Sequence, residues 1–314
     1  PGQGSQSVGM IGEVLAGSPA ARSVMARADS AMNAASPGSP VLSRLILEGP
    51  LGELTLTANA QPAILAASCA VLAAIRERVP GLGIPAFVAG HSLGEYSALV
   101  AAEALSLEDA LSLVRARGLA MQDAVPEGIG AMCAVIGLEQ TRVEALCEEV
   151  SGGEIIAPAN FNAPGQIVVA GHAGAVTRLA QRVVADKGRA IPLKVSAPFH
   201  CALMKPAARA VEARLSLIDL RAPIVPVVAN FDARPNRDVD RVRELLVRQI
   251  DGAVRWDESV RLMADRGVTH ALEIGPGKVL GGLVKRIAKD LRVLSVGDAA
   301  SLDLVPAFLA EAEG

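Results

Sequence analysis

The sequence predicts an α/β protein, and three observations carry that prediction. Strand-like apolar runs alternate with helical patterns along the chain. A strand, a tight glycine turn and a helix follow one another over residues 85–105. The middle third runs strand, helix, strand, strand, helix, strand.

The elements follow in order. Ser36-Pro37-Gly38-Ser39-Pro40 reads as a surface loop, too short for a domain linker. A long stretch without charge, 54–75, contains Thr55, Thr57, Asn59, Gln61 and Pro62. Its apolar half is about 13 residues, short of the ~20 that a membrane span needs, so a buried helix is expected. Residues 85–90 read as a buried strand, and 92–105, rich in Ala and Leu, as a helix. A further helix starts at Ser106, where Ser106-Leu107-Glu108-Asp109 matches a capping box. Then come a strand at 130–138, a helix at 141–150, strands at 154–161 and 165–170, a helix at 173–187 and a strand at 189–195. That order is the ferredoxin-like unit. It predicts a small domain over 127–196 inserted into a larger α/β domain, 1–126 and 197–314, which resumes near Ser196. Near the end, 268–274 reads as a strand, Gly275-Pro276-Gly277 as a turn and 278–289 as a helix.

Composition excludes several functions. With 30 Lys and Arg against 33 Asp and Glu, the net charge of −3 gives no basic surface for nucleic acid. Five Phe, one Trp and one Tyr leave little for base stacking. Apolar residues at 51% over 314 positions suffice for a sizeable core of Ala, Val, Leu and Ile. The four cysteines, Cys69, Cys133, Cys147 and Cys201, have no CxxC spacing. Free thiols in a reducing cytoplasm are expected, with neither disulfide nor zinc site. The chain opens on Pro1 without methionine, and no signal peptide is visible, so its true start is expected to lie upstream.

Gly90-His91-Ser92-Leu93-Gly94 is a GxSxG sequence set between a strand and a helix, the context of a nucleophile elbow. The glycines allow a turn that lifts Ser92 Oγ clear, and the Leu93 N–H at the helix start can meet a developing oxyanion. The alternative is a glycine-rich turn with a surface serine. Of four histidines, His91 adjoins the serine but points elsewhere on such a turn. His172 lies at a strand end and His270 inside a buried strand. His200, after Ser196-Ala197-Pro198-Phe199, follows the serine in the order of hydrolase-like folds and ranks first as base. No triad acid is evident. On the helix from Ser106, Arg117 falls within about 60° of the apolar stripe's centre and Arg115 about 100° away. A buried arginine needs an anion: a structural Asp or Glu, or, beside a nucleophile, a substrate carboxylate. Gly2-Gln3-Gly4-Ser5-Gln6 is a donor-rich loop, compatible with a phosphate cradle, an oxyanion loop or a plain turn.

Taken together, several stretches resemble malonyl-CoA:acyl carrier protein transacylases, within the acyltransferases of fatty acid and polyketide synthesis. They are Pro1 to Gln6, Thr57-Ala58-Asn59-Ala60-Gln61-Pro62-Ala63, Gly90-His91-Ser92-Leu93-Gly94-Glu95-Tyr96-Ser97, Arg115-Ala116-Arg117-Gly118, Asn160-Phe161-Asn162-Ala163-Pro164-Gly165-Gln166, Pro198-Phe199-His200-Cys201 and Gly275-Pro276-Gly277-Lys278. The resemblance covers nearly the whole chain. It implies an α/β-hydrolase-like large domain with a parallel sheet, and Ser92 as acyl-accepting nucleophile with His200 as its base. It implies that Arg117 holds the free carboxylate of malonate, that the N–H groups of Gln3 and Leu93 form the oxyanion hole, and that the Gln249 main-chain carbonyl orients the histidine. Gln61 and Asn162 would line the cleft. Leu93 and Phe199 would leave little room for an α-methyl branch, a selectivity worth only about 1–3 kcal/mol. The implied substrates are malonyl-CoA and the phosphopantetheine arm of acyl carrier protein, with no permanently bound cofactor and a monomeric enzyme. Lys278, Lys285, Arg286 and Lys289 give the last long helix a basic side, a solvated face or a dock for an acidic carrier.

Three rivals share parts of this pattern. A serine thioesterase or hydrolase has the elbow and base but no need of a buried Arg117. An acyltransferase of a polyketide synthase or a malonate decarboxylase differs in its carrier. A non-catalytic carrier-binding module has no use for both Ser92 and His200.

Overall fold

A computed structural model describes residues 1–35, 38–193, 195 and 197–313. Ser36 and Pro37 of the expected loop and Ser196 of the expected domain boundary lie outside the described residues.

Ten strands are present among the described residues: β1 (Val88–Ala89), β2 (Gly130–Ile136), β3 (Ile156–Ala163), β4 (Gln166–His172), β5 (Arg189–Pro192), β6 (Val227–Val228), β7 (Pro235–Asn236), β8 (Val254–Arg255), β9 (His270–Ile274) and β10 (Arg292–Val296). They form mixed sheets with helices, an α/β architecture. One sheet of three strands has the order β1-β6-β7, with β1 parallel to β6. Another pairs β9 and β10 in parallel. The largest has five strands in the order β5-β2-β4-β3-β8, antiparallel except where β8 joins β3 in parallel.

Of the parallel sheet expected in the large domain, the described residues show short parallel pairings, β1 with β6 and β9 with β10. The strand expected at 85–90 shows why. Pro85 and Ala86 are exposed, Val88 N–H donates to Pro226 C=O at 3.1 Å, and Gly90 already turns toward the serine, so only two residues remain to pair. The helix expected over 92–105 spans Gly94–Ala101, because Ser92 (φ 51°) and Glu103 (φ 59°) both leave the right-handed region. The N-cap half of the box at Ser106 forms: its Oγ accepts from Asp109 N–H at 3.0 Å at the head of helix Leu107–Asp123, and the Asp109 carboxylate accepts from that same hydroxyl at 2.7 Å.

The uncharged stretch lies, from residue 57 on, in helix Thr57–Arg78, apolar and long enough to cross a bilayer, yet mostly buried inside the protein. It packs with Pro19–Ala35 and Leu107–Asp123 in the main core. Helix Ala173–Ala185 buries Ala175, Val176, Leu179 and Val183, a helical spacing, against the five-stranded sheet. Leu179 and Val183 join Val135, Leu146, Phe161 and Val169 in a second core. Periodicity had pointed to none of helices Pro19–Ala35, Lys205–Leu215, Val239–Asp251, Trp256–Asp265 and Ala299–Glu313. All four cysteines are free and buried.

Candidate active site

Steric crowding fixes the turn that carries Ser92. A Cβ on Gly90 would stand 2.0 Å from the Gly94 carbonyl carbon, so only glycine fits there. Ser92 then takes φ 51°, and Leu93, buried, heads helix Gly94–Ala101. The next three amides are taken: Gly94, Glu95 and Tyr96 N–H donate to the carbonyls of His91, Ser92 and Leu93. Gly2 sits against His91, where an added Cβ would meet the carbonyl oxygen at 2.9 Å. Gln3 beside it donates from Nε2 to Thr57 Oγ1 at 3.0 Å, tying the N-terminal loop to the cleft.

His200 is buried, and its Nε2 lies 2.8 Å from Ser92 Oγ. Its Nδ1 lies 2.7 Å from the Gln249 main-chain oxygen. A carbonyl only accepts, so Nδ1 carries the ring proton and Nε2 is left to accept from the serine hydroxyl. Burial, then the nearby Arg117 charge, push His200 down to about 3, so the ring is neutral at physiological pH.

Arg117 is 1% exposed. Its guanidinium donates to Gln61 Oε1 at 2.8 Å, to Ser92 Oγ at 3.0 Å and to Gln249 Oε1 at 2.9 Å, and lies 5.3 Å from the Tyr96 ring centroid. None of these partners is a carboxylate. The structural ion pair weighed for this arginine is not what the hydrogen bonds provide. Arg115, two residues away, instead donates to Ala58 C=O and Asn59 Oδ1.

The structure thus brings Ser92, His200, Gln249, Arg117 and Gln61 into one hydrogen-bonded set. Asn162 stands one step removed: its Oδ1 accepts from His91 Nε2 at 2.8 Å, while the His91 ring faces Trp256 at 5.8 Å. His91 therefore points away from the serine, and burial pushes it down to about 4. Phe199 is buried beside His200. His172 Nδ1 accepts from Ile155 N–H at 2.9 Å, and His270, only half-buried at the start of β9, sits against Thr269 and Phe308. Neither takes part in the hydrogen bonds that Ser92 makes among the described residues. A cavity of about 680 Å³ opens elsewhere, lined by Val24, Cys69, Arg76 and Leu105 and by none of this set.

The acyl transferase domain model matches residues 1–312. The chain belongs to the acyl transferase family. The malonyl CoA-acyl carrier protein transacylase of Salmonella typhimurium is 46% identical over 303 residues, 96% of each chain. That of Bacillus subtilis is 44% identical over 315 residues, 99% of this chain and 96% of the relative. An acyl carrier protein S-malonyltransferase structure from Vibrio cholerae superposes with a TM-score of 0.93 at 43% identity, covering 97% of each chain. A malonyl-transacylase solved with a holo acyl carrier protein of a type II polyketide synthase gives 0.93 at 43%, covering 99% of this chain and 97% of its own.

Two further residues of this acyl transferase escaped reading from the sequence, as did the side chain of Gln249. Glu95 is buried behind Ser92, where its carboxylate accepts from Asn230 N–H at 2.9 Å and from Gln249 Nε2 at 2.8 Å. Burial pushes its carboxyl up to about 7, against those two hydrogen bonds. Asn230, also fully buried, reaches the serine turn from the end of β6. The available signal was a lone carboxylate on an apolar helix face at Glu95. Nothing in the run Val225-Pro226-Val227-Val228-Ala229 marks Asn230.

Proposed function

We propose that this acyl transferase moves the malonyl group from malonyl-CoA to the phosphopantetheine thiol of acyl carrier protein through a malonyl-Ser92 ester, in fatty acid biosynthesis. The observation that carries the reading is a buried guanidinium, Arg117, 3.0 Å from Ser92 Oγ, whose hydrogen-bond partners among the described residues are neutral, with Glu95 acting on it only through its field. A buried guanidinium with no carboxylate hydrogen-bonded to it can take one up, and the free carboxylate of malonate fits the guanidinium fork.

In the first half-reaction His200 Nε2 takes the Ser92 Oγ proton as the oxygen attacks the thioester carbonyl. The N–H groups of Gln3 and Leu93 receive the oxyanion. The C–S bond breaks, and the departing CoA sulfur takes the proton from His200. In the second, the carrier thiol gives its proton to His200 and its sulfur attacks the ester carbonyl. Ser92 Oγ leaves and recovers the proton. The Gln249 carbonyl keeps the imidazole in the required tautomer throughout. A malonate carboxylate on Arg117 also offsets the positive charge that depresses His200, strengthening the base once the correct substrate is bound. Gln61 and Asn162 line the cleft, and Phe199 and Leu93 crowd the acyl α-carbon.

The same reading divides the chain into an α/β-hydrolase-like catalytic domain, 1–126 and 197–314, and a ferredoxin-like domain, 127–196. The strand order β5-β2-β4-β3 with two helices supports the second. It further takes the enzyme as a cytoplasmic monomer without a resident cofactor. A polyketide carrier is the alternative partner, favoured by the relative solved with one at equal similarity.

The test is malonyl-CoA with and without carrier protein, locating the acyl group by peptide mass. Wild type should carry malonate on the peptide holding Ser92 and lose it to the carrier. Ser92→Ala should carry none, with turnover down by at least about 10⁴-fold. Release of free malonate at the same rate without any thiol would make the chain a hydrolase.

A further inference from the structure

Beneath the Ser92 turn lies a set of buried polar groups that the transfer steps do not use. Ser92 holds φ 51° with a side chain attached, a conformation that persists only where its surroundings over-determine it. Two side chains do so. Asn230 Nδ2 donates to Gly90 C=O at 2.7 Å, and Asn230 Oδ1 accepts from Ser92 N–H at 2.6 Å. Gln249 Nε2 donates to Ser92 C=O at 3.0 Å. Asn230 spends every polar group it has, for its own N–H donates to Glu95 at 2.9 Å and its C=O accepts from Arg255 N–H at 2.9 Å.

We propose that Asn230 is a positioning residue for the nucleophile: its side-chain amide straps residues 90 and 92 together and thereby sets where Ser92 Oγ stands relative to His200 Nε2. The inference rests on Ser92 being the nucleophile. The task needs one donor and one acceptor on the same planar end, which asparagine supplies and aspartate does not. Glu95 anchors the strap from behind. Its carboxylate holds both Asn230 and Gln249, so the strap and the residue that orients His200 share one support.

The experiment compares Asn230→Ala and Asn230→Asp with wild type in the full chain, reading single-turnover malonyl uptake, kcat, KM and Tm. Asn230→Ala should lower the uptake rate and kcat by about 100-fold, the scale of a roughly 1 Å misplacement, while KM for malonyl-CoA stays within about twofold. Asn230→Asp keeps the shape and the acceptor for Ser92 N–H but turns an oxygen toward Gly90 C=O, and should lose about tenfold. A kcat within about threefold of wild type in either folded variant overturns the proposal. So does a loss carried by KM. Should the alanine variant not fold, the aspartate variant decides. Should neither fold, Asn230 serves the whole fold rather than the turn, and the proposal fails. Ser92→Ala is run alongside: malonyl uptake by that variant would defeat the nucleophile assignment separately from the strap.

Discussion

Strands β2 to β5 pair with one another inside a single stretch of chain, and the side chains that fill the space under them are apolar: Val135, Val143, Leu146, Phe161, Val169, Leu179 and Val183. Around Ser92 the contacts run the other way. The partners of this turn lie 25, 108, 138 and 157 residues away, and they are polar. Both regions are buried, but they are specified differently. Apolar packing tolerates substitution as long as volume is kept, whereas a buried polar set works only when each donor finds its acceptor. Changes in the first region should therefore appear as lost stability, and changes in the second as lost chemistry.

The sharpest break of that contrast is Arg117→Ala. It removes a buried cation and leaves the Gln61 and Gln249 oxygens without their donor. Preference for malonyl-CoA over acetyl-CoA should fall by roughly 2–5 kcal/mol, read from the two kcat/KM values. Unchanged discrimination would remove the carboxylate from the site. The counterpart is Leu146→Ala, a fully buried position under the sheet. Stability to urea should drop by about 2–5 kcal/mol, with kcat of the folded fraction within about twofold of wild type. A kcat loss as large as the stability loss would mean that the two regions are one mechanical unit.

The same contrast explains what could be read in advance. Elements of the 130–192 stretch were legible within a few residues, because strand alternation and helical spacing are local signals. Ser92 was legible because a turn that must have glycine at 90 and 94 leaves a mark in the sequence, and Arg117 because a cation sits in an apolar stripe. The strand at 85–90 was read too long, since β1 pairs over only two residues, Val88 and Ala89. Asn230 and the Gln249 side chain were invisible, as no local pattern says which distant amide closes onto a turn. Strand β8 escaped for the same reason: two residues hydrogen-bonded to β3 carry no period.

A smaller effect separates the regions by pH. His91 and His200 are pushed down to about 4 and about 3, so the folded chain keeps them neutral where the unfolded chain, near 6.5, binds protons. Their contribution is present above about pH 6.5 and is lost as pH falls toward 4 and 3. Glu95 has the opposite sign: pushed up to about 7, it favours the fold below the ordinary carboxylate range, and that contribution fades as pH rises through 7. Urea midpoints from pH 4 to 8 should show the acid-side loss shrinking in His91→Gln, a change outside the transfer steps. An identical acid limb in that variant would reject the buried neutral histidine as its source.

The smallest effect lies on helix Val279–Ile287, where Lys285 and Arg286 are neighbours with different tasks. Arg286 is turned onto the link between β3 and β4, donating to Pro164 C=O at 3.0 Å and to Gln166 Oε1. It ties this helix to the five-stranded sheet, so the basic side read from the sequence is narrower than its four cations. Lys285, like Lys278 and Lys289, is exposed. An acidic carrier meeting that face should feel Lys285→Glu as a rise in its KM of about fivefold at low salt, shrinking as salt is added. Malonyl uptake from malonyl-CoA should not change. Arg286→Glu should weaken the carrier step and lower stability as well, because it also cuts the tie to residues 164–166. Equal carrier kinetics in Lys285→Glu and wild type would move the docking face off this helix, and a purely kinetic effect of Arg286→Glu would show that the helix and the sheet do not lean on each other there.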